Sequence, residues 1–86
     1  MKVIYKYPLE STVLLPKDSL VLKAGMQENT MCIWVLLDPN EKIHGQRNFE
    51  IIGTGQPFAH EYLKHRFVDT LFDGPFVWHI WEVNKD

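Results

Sequence analysis

Ser19-Leu20-Val21-Leu22-Lys23-Ala24-Gly25-Met26-Gln27-Glu28-Asn29-Thr30-Met31-Cys32-Ile33-Trp34-Val35-Leu36-Leu37 holds two extended runs joined by a polar turn. Successive side chains of a β-strand point to opposite sides. Leu20, Leu22, Ala24 and Met26 therefore share one face of the first run, and Val21, Lys23, Gly25 and Gln27 the other. Gly25 has no side chain to pack, which marks a bulge or the close approach of another group. Glu28-Asn29-Thr30 then turns the chain into Met31–Leu37. That run is apolar on both faces, the pattern of a central or doubly covered strand. No stretch of twelve residues carries a helical stripe, so the alternation sets the class as all-β.

The same alternation continues on either side. Residues 2–7 read as a first strand ended by Pro8, and residues 11–15 as a second closed by Pro16. A polar connection runs from Asp38-Pro39-Asn40-Glu41 to about Gln46, and residues 47–52 form the fifth strand. Residues 58–63 are expected to hold one helical turn. Residues 66–72 are the sixth strand, Asp73-Gly74-Pro75 a tight turn, and residues 76–83 the seventh. Seven short strands divided by Gly, Pro, Asn and Asp turns predict a small antiparallel β-sandwich or open barrel, one domain over residues 1–86.

A chain of 86 residues is near the lower limit for a single unstapled core. Its 45% apolar and 13% aromatic content exceeds what that core needs. A subunit interface or an aromatic ligand pocket would absorb the surplus, and a homodimer or tetramer is expected. Nine basic against eleven acidic residues, net charge -2, argue against binding a DNA or RNA polymer. They leave room for one small anionic ligand. Cys32 has no second cysteine to pair with and reads as a buried, inert thiol. Met1–Tyr7 alternates without the apolar stretch of a signal peptide. The longest apolar run, Met31–Leu37, is far short of a membrane span. The expected location is cytoplasmic, with no membrane partner.

Ile51-Ile52-Gly53-Thr54-Gly55-Gln56-Pro57 ends a β-branched run on Gly-Thr-Gly. It is too short for a dinucleotide fingerprint and lacks the lysine of a P-loop. It is either a plain turn or a loop whose amides and Thr54 hydroxyl receive a phosphate or a base edge. In the second case Arg47, Lys64 and Arg66 are the nearest cations in sequence. Trp78 and Trp81 fall on opposite faces of one strand, so one of them faces a second layer, a partner subunit or a ligand. Stacking a base on an exposed ring is worth roughly 1–3 kcal/mol.

His44, His60, His65 and His79 match no metal-ligand spacing, and neither a metal nor a cofactor is expected. His60-Glu61 reads as an acid–base pair or as a solvated loop pair. His79 reads as an interior or cross-strand histidine rather than a general base. With no nucleophile, base and orienting group in view, no enzyme is expected. The candidate ligand-binding set is Arg47, Gly53, Thr54, Gly55, Gln56 and Phe58, with Trp34, Trp78 and His79.

The blocks Ile4-Tyr5-Lys6-Tyr7-Pro8-Leu9, Ile33-Trp34-Val35-Leu36-Leu37-Asp38-Pro39, Phe49-Glu50-Ile51-Ile52-Gly53-Thr54-Gly55 and Gly74-Pro75-Phe76-Val77-Trp78-His79-Ile80-Trp81-Glu82 cover most of the chain. In these blocks and their order the chain resembles a family of small phage- and prophage-encoded proteins of unknown function. That family usually has histidine after the Gly-Thr-Gly; Gln56 stands here, which weakens a catalytic role for the position. Through overlap with that family the chain is similar to the phage anti-CBASS sponge proteins, which bind cyclic dinucleotides without cleaving them. The resemblance implies an immune-evasion protein of the host cell cytoplasm. It would sequester a cyclic nucleotide second messenger such as cyclic GMP-AMP at a subunit interface. The alternatives are a phage module that inhibits a host protein through an exposed aromatic β-edge and, third, a hydrolase acting on nucleotides.

Overall fold

Alternation becomes two antiparallel sheets in the computed structural model, which describes residues 1–59 and 61–84. The strands are β1 (Val3–Pro8), β2 (Thr12–Pro16), β3 (Leu20–Gln27), β4 (Thr30–Leu37), β5 (His44–Gly53), β6 (Arg66–Asp73) and β7 (Phe76–Val83). One sheet has the order β1-β4-β3 and the other β2-β5-β7-β6. They face each other as an open sandwich. The doubly apolar β4 is the centre of the first sheet, and β7 is internal to the second. Between β3 and β4, Glu28 (φ 51) and Asn29 (φ 66) form a two-residue loop of the primed kind that suits hairpin twist. No helix among the described residues is long and apolar enough to cross a membrane.

Two boundaries differ from the pattern. β5 begins at His44, before the expected start at residue 47, because Leu14, Leu15 and Pro16 of β2 pair with Gln46, Gly45 and His44. Backbone pairing recruits this polar segment, and hydrophobicity gives no sign of it. The helical turn expected over residues 58–63 is a 3-10 turn at Tyr62–Lys64. Asn84 ties it to the end of β7, its side-chain amide donating to the Lys64 carbonyl at 3.0 Å and its backbone N–H to His65 Nδ1 at 2.9 Å.

The face assignment of β3 is corrected by a bulge. The register shifts between Val21 and Lys23, so Leu22 is extra and parity inverts there. Val21, Ala24 and Met26 turn inward, while Leu20 and Leu22 stay exposed. Gly25 is not the bulge. It is the site of a close approach: a Cβ there would stand 3.4 Å from the Trp34 ring.

The core between the sheets is Val13, Leu15, Val21, Ala24, Ile33, Val35, Leu37, Phe49, Leu71 and Ile80. Cys32 is buried, as expected of a lone thiol. Along one side a polar seam closes the sandwich over the free edge of β3. Glu82, 7% exposed, receives the Arg47 guanidinium through both Nε and Nη2 and lies 4.0 Å from Arg66. Arg47 also donates to the Ser19 carbonyl at 2.8 Å, and Arg66 to the Val21 carbonyl at 2.7 Å. Asp69 receives the Ala24 amide at 3.3 Å and the Lys23 ammonium at 2.9 Å. Side chains of β5 and β6 thus satisfy backbone groups that an edge strand leaves open.

Candidate functional site

β5 ends where Gly53-Thr54-Gly55-Gln56 makes a β-turn, the Gln56 N–H donating to the Gly53 carbonyl at 3.0 Å. Gly55 lies at φ +89, the left-handed torsion that a type II turn needs at its third position and that glycine adopts freely. The Gln56 side chain folds back, its Oε1 accepting the Gly53 N–H at 2.7 Å. The Thr54 N–H donates to the Val77 carbonyl at 3.2 Å. Three amides of this loop are therefore engaged inside the protein. What the loop offers outward is chiefly the exposed Thr54 side chain.

Beneath the loop lies the outer face of the four-stranded sheet. Ile52, His79 and Thr70 form one row across β5, β7 and β6, and Glu50, Trp81 and Phe67 the next. His79 bonds two hydroxyls: Thr54 Oγ1 lies 2.8 Å from Nε2, and Thr70 Oγ1 lies 3.1 Å from Nδ1. Phe58, carried back over the sheet after Pro57, tilts against Trp81 with ring centroids 4.8 Å apart, and Phe67 meets Trp81 edge-on at 5.6 Å. The result is an open groove of about 370 Å³ lined by Thr54, Phe58, Tyr62, His79, Trp81 and their neighbours on β5 and the loop. Phe58, Tyr62 and Trp81 give it ring surface, and Thr54 and His79 stand at its edge.

The structure brings together Gly53, Thr54, Gly55, Gln56, Phe58 and His79. The other three candidates lie outside this groove. Arg47 belongs to the seam with Glu82, six residues back along β5, about 20 Å at 3.4 Å per residue. Trp34 lies in the other sheet, packed over Gly25. Trp78 is partly buried against the core and borders the other side of the Gly53–Gln56 turn. Trp81 is the tryptophan of the groove, and strand parity could only say that the two rings part company. Thr70, Tyr62 and Ile52 had no local signal; cross-strand register brings in Thr70 and Ile52, and the 3-10 turn brings in Tyr62. Of the other nearby cations, Arg66 is held in the seam and Lys64 lies 3.4 Å from Glu61 on the surface. His60 lies outside the described residues, so its pairing with Glu61 has no geometry.

Chemically the groove can stack a planar ring and offer the Thr54 hydroxyl to its edge, both ring nitrogens of His79 being taken by Thr54 and Thr70. Thr54 and His79 also have the separation of a nucleophile and its base, but the group on the far nitrogen is the neutral Thr70 hydroxyl, not a carboxylate that would stabilise an imidazolium. Among the described residues no group of three His, Cys, Asp or Glu side chains could hold a metal. No curated protein and no solved structure matches the chain. Over residues 1–86 the chain matches, and therefore belongs to, the family defined as domain of unknown function DUF7352.

Proposed function

We propose that the protein is a non-catalytic nucleotide-binding module, a phage immune-evasion sponge that holds a cyclic nucleotide such as cyclic GMP-AMP and keeps it from host effectors. The observation that carries the reading is the groove beside Thr54, where Trp81 and Phe58 offer ring surface next to the Thr54–His79 pair. Stacking on such rings tolerates any base, while the Thr54 hydroxyl, oriented by His79, can select among base edges. Arg47 and Arg66 are committed to Glu82 and to backbone carbonyls, so recognition rests on the bases more than on the phosphates. Self-association is part of the same proposal: the outer face of the three-stranded sheet exposes Ile4, Leu20 and Leu22, where such faces are ordinarily polar.

A thermal-shift series with cyclic GMP-AMP tests the proposal. A ligand that binds only the folded chain, at a hundred times its dissociation constant, adds about 2.7 kcal/mol, which is a rise of more than 10 °C in a domain this small. No shift with any cyclic di- or trinucleotide would end the sponge reading.

The 2.8 Å contact between Thr54 and His79 favours one second reading, a hydrolase in which the imidazole takes the Thr54 proton. Chromatography of ligand recovered after long incubation separates the two. Intact cyclic nucleotide supports a sponge, and a linear product supports the hydrolase.

A further inference from the structure

The Gly53–Gln56 turn is a ridge with a groove on each side. The second groove, about 470 Å³, shares Gly53, Thr54 and Gln56 with the first and is otherwise lined by Pro75, Phe76, Val77 and Trp78. Phe76 and Trp78 stack in it with ring centroids 5.8 Å apart and planes 22° from parallel, and Phe76 is 57% exposed. Trp78 Nε1 is the buried side-chain polar atom left without a hydrogen-bond partner among the described residues, which native structures rarely tolerate. Each groove is thus built on one tryptophan of β7 with a phenylalanine against it. Trp78 and Trp81 are three residues apart on opposite faces, about 10 Å along the strand.

Resting on the nucleotide-binding reading above, we infer that the ligand straddles this ridge, with one nucleobase in the Phe58–Trp81 groove, a second in the Phe76–Trp78 groove, and the phosphodiester link crossing at Thr54 and Gly55. Two features suit the crossing. A Cβ built on Gly55 would meet nothing within 4 Å, so the crest of the ridge is open. The Thr54 side chain borders both grooves. A single base fills one groove and leaves the other empty, so the site selects for two bases in one molecule. A cyclic and a linear dinucleotide share this chemistry.

Calorimetric titration of the full chain with cyclic GMP-AMP, linear GpA, GMP and AMP tests the inference on wild type, Phe58→Ala and Phe76→Ala. The dinucleotides should bind at least tenfold more tightly than either mononucleotide. Each substitution should weaken dinucleotide binding by about 5- to 150-fold, the range of one lost base stack. Tighter binding of the cyclic form identifies it as the preferred source of the two bases, and tighter binding of GpA identifies the linear one; both support the straddling site. In a Trp34→Phe/Trp81→Phe protein the remaining Trp78 emission should be quenched by the dinucleotide, a readout that does not need Phe76 altered. If Phe76→Ala leaves dinucleotide affinity within twofold and Trp78 emission does not change, the ligand occupies one groove and the inference fails while the binding reading stands. If wild type binds none of the four, both fall.

Discussion

The Thr54 hydroxyl and the His79 imidazole, 25 residues apart in the chain, meet at 2.8 Å where the β5–β7 ladder ends. Thr70 occupies the other ring nitrogen. In its neutral form an imidazole has one donor and one acceptor nitrogen, and in that form one threonine donates to the ring while the other accepts. The three side chains are held as a unit by cross-strand register on one side and by the type II turn on the other. The groove's polar edge is therefore set by backbone geometry before any ligand arrives.

Thr54→Val keeps the shape of this edge and removes its hydroxyl. A neutral hydrogen bond contributes about 0.5–1.5 kcal/mol, so affinity for cyclic GMP-AMP should fall roughly three- to tenfold by calorimetry. Thr54 is exposed, and the melting temperature should move little. Unchanged affinity would leave the turn as a turn only.

Arg47→Met should act on stability rather than on the groove. It leaves the Glu82 carboxylate, 7% exposed, without its bidentate partner. Removing one member of a buried pair costs about 3–5 kcal/mol, and Arg66 at 4.0 Å compensates only in part. Urea denaturation should show a loss of about 3 kcal/mol. A variant as stable as wild type that no longer binds nucleotide would return Arg47 to the ligand site.

Acid should loosen the contact between β6 and β3. Burial raises the Asp69 carboxyl, but the Lys23 ammonium and the amides of Thr70 and Ala24 outweigh it and hold its pKa below the ordinary value. A group that ionises more readily when folded adds stability above its unfolded pKa, about 3.9, and loses it as pH falls through the folded value. Asp69→Asn should cost on the order of 1 kcal/mol at pH 7, a modest figure because Lys23 is 65% exposed. The gap to wild type should close below about pH 4 in parallel denaturation curves, and a gap that is constant with pH would refute the assignment.

Self-association should respond to Leu22→Lys. The bulge turns this leucine out on the face that also exposes Ile4 and Leu20, and a lysine there would have to be buried in a partner. Light scattering at tens of micromolar should show a dimer or tetramer for wild type and a smaller species for the variant. A wild-type monomer would remove the oligomer from the proposal.

The alternating runs of the sequence were enough for the class, the number of strands, most of their limits, and the parting of Trp78 from Trp81 to opposite faces. These are local properties: period two, Gly and Pro breaks, and apolar character on one face or two. The Gly-Thr-Gly turn was legible for the same reason, since a type II turn asks for glycine at one position. The fate of Arg47 was not legible, because its partner Glu82 is 35 residues away and only the alignment of β5 with β7 brings them together. Nor was the unit of Thr54, His79 and Thr70, which three separate segments supply, or the inversion of faces at Leu22, which depends on how β3 pairs with β4. Which charges remain for a ligand, and which rings face it, are decided by register and by the packing of one sheet on the other.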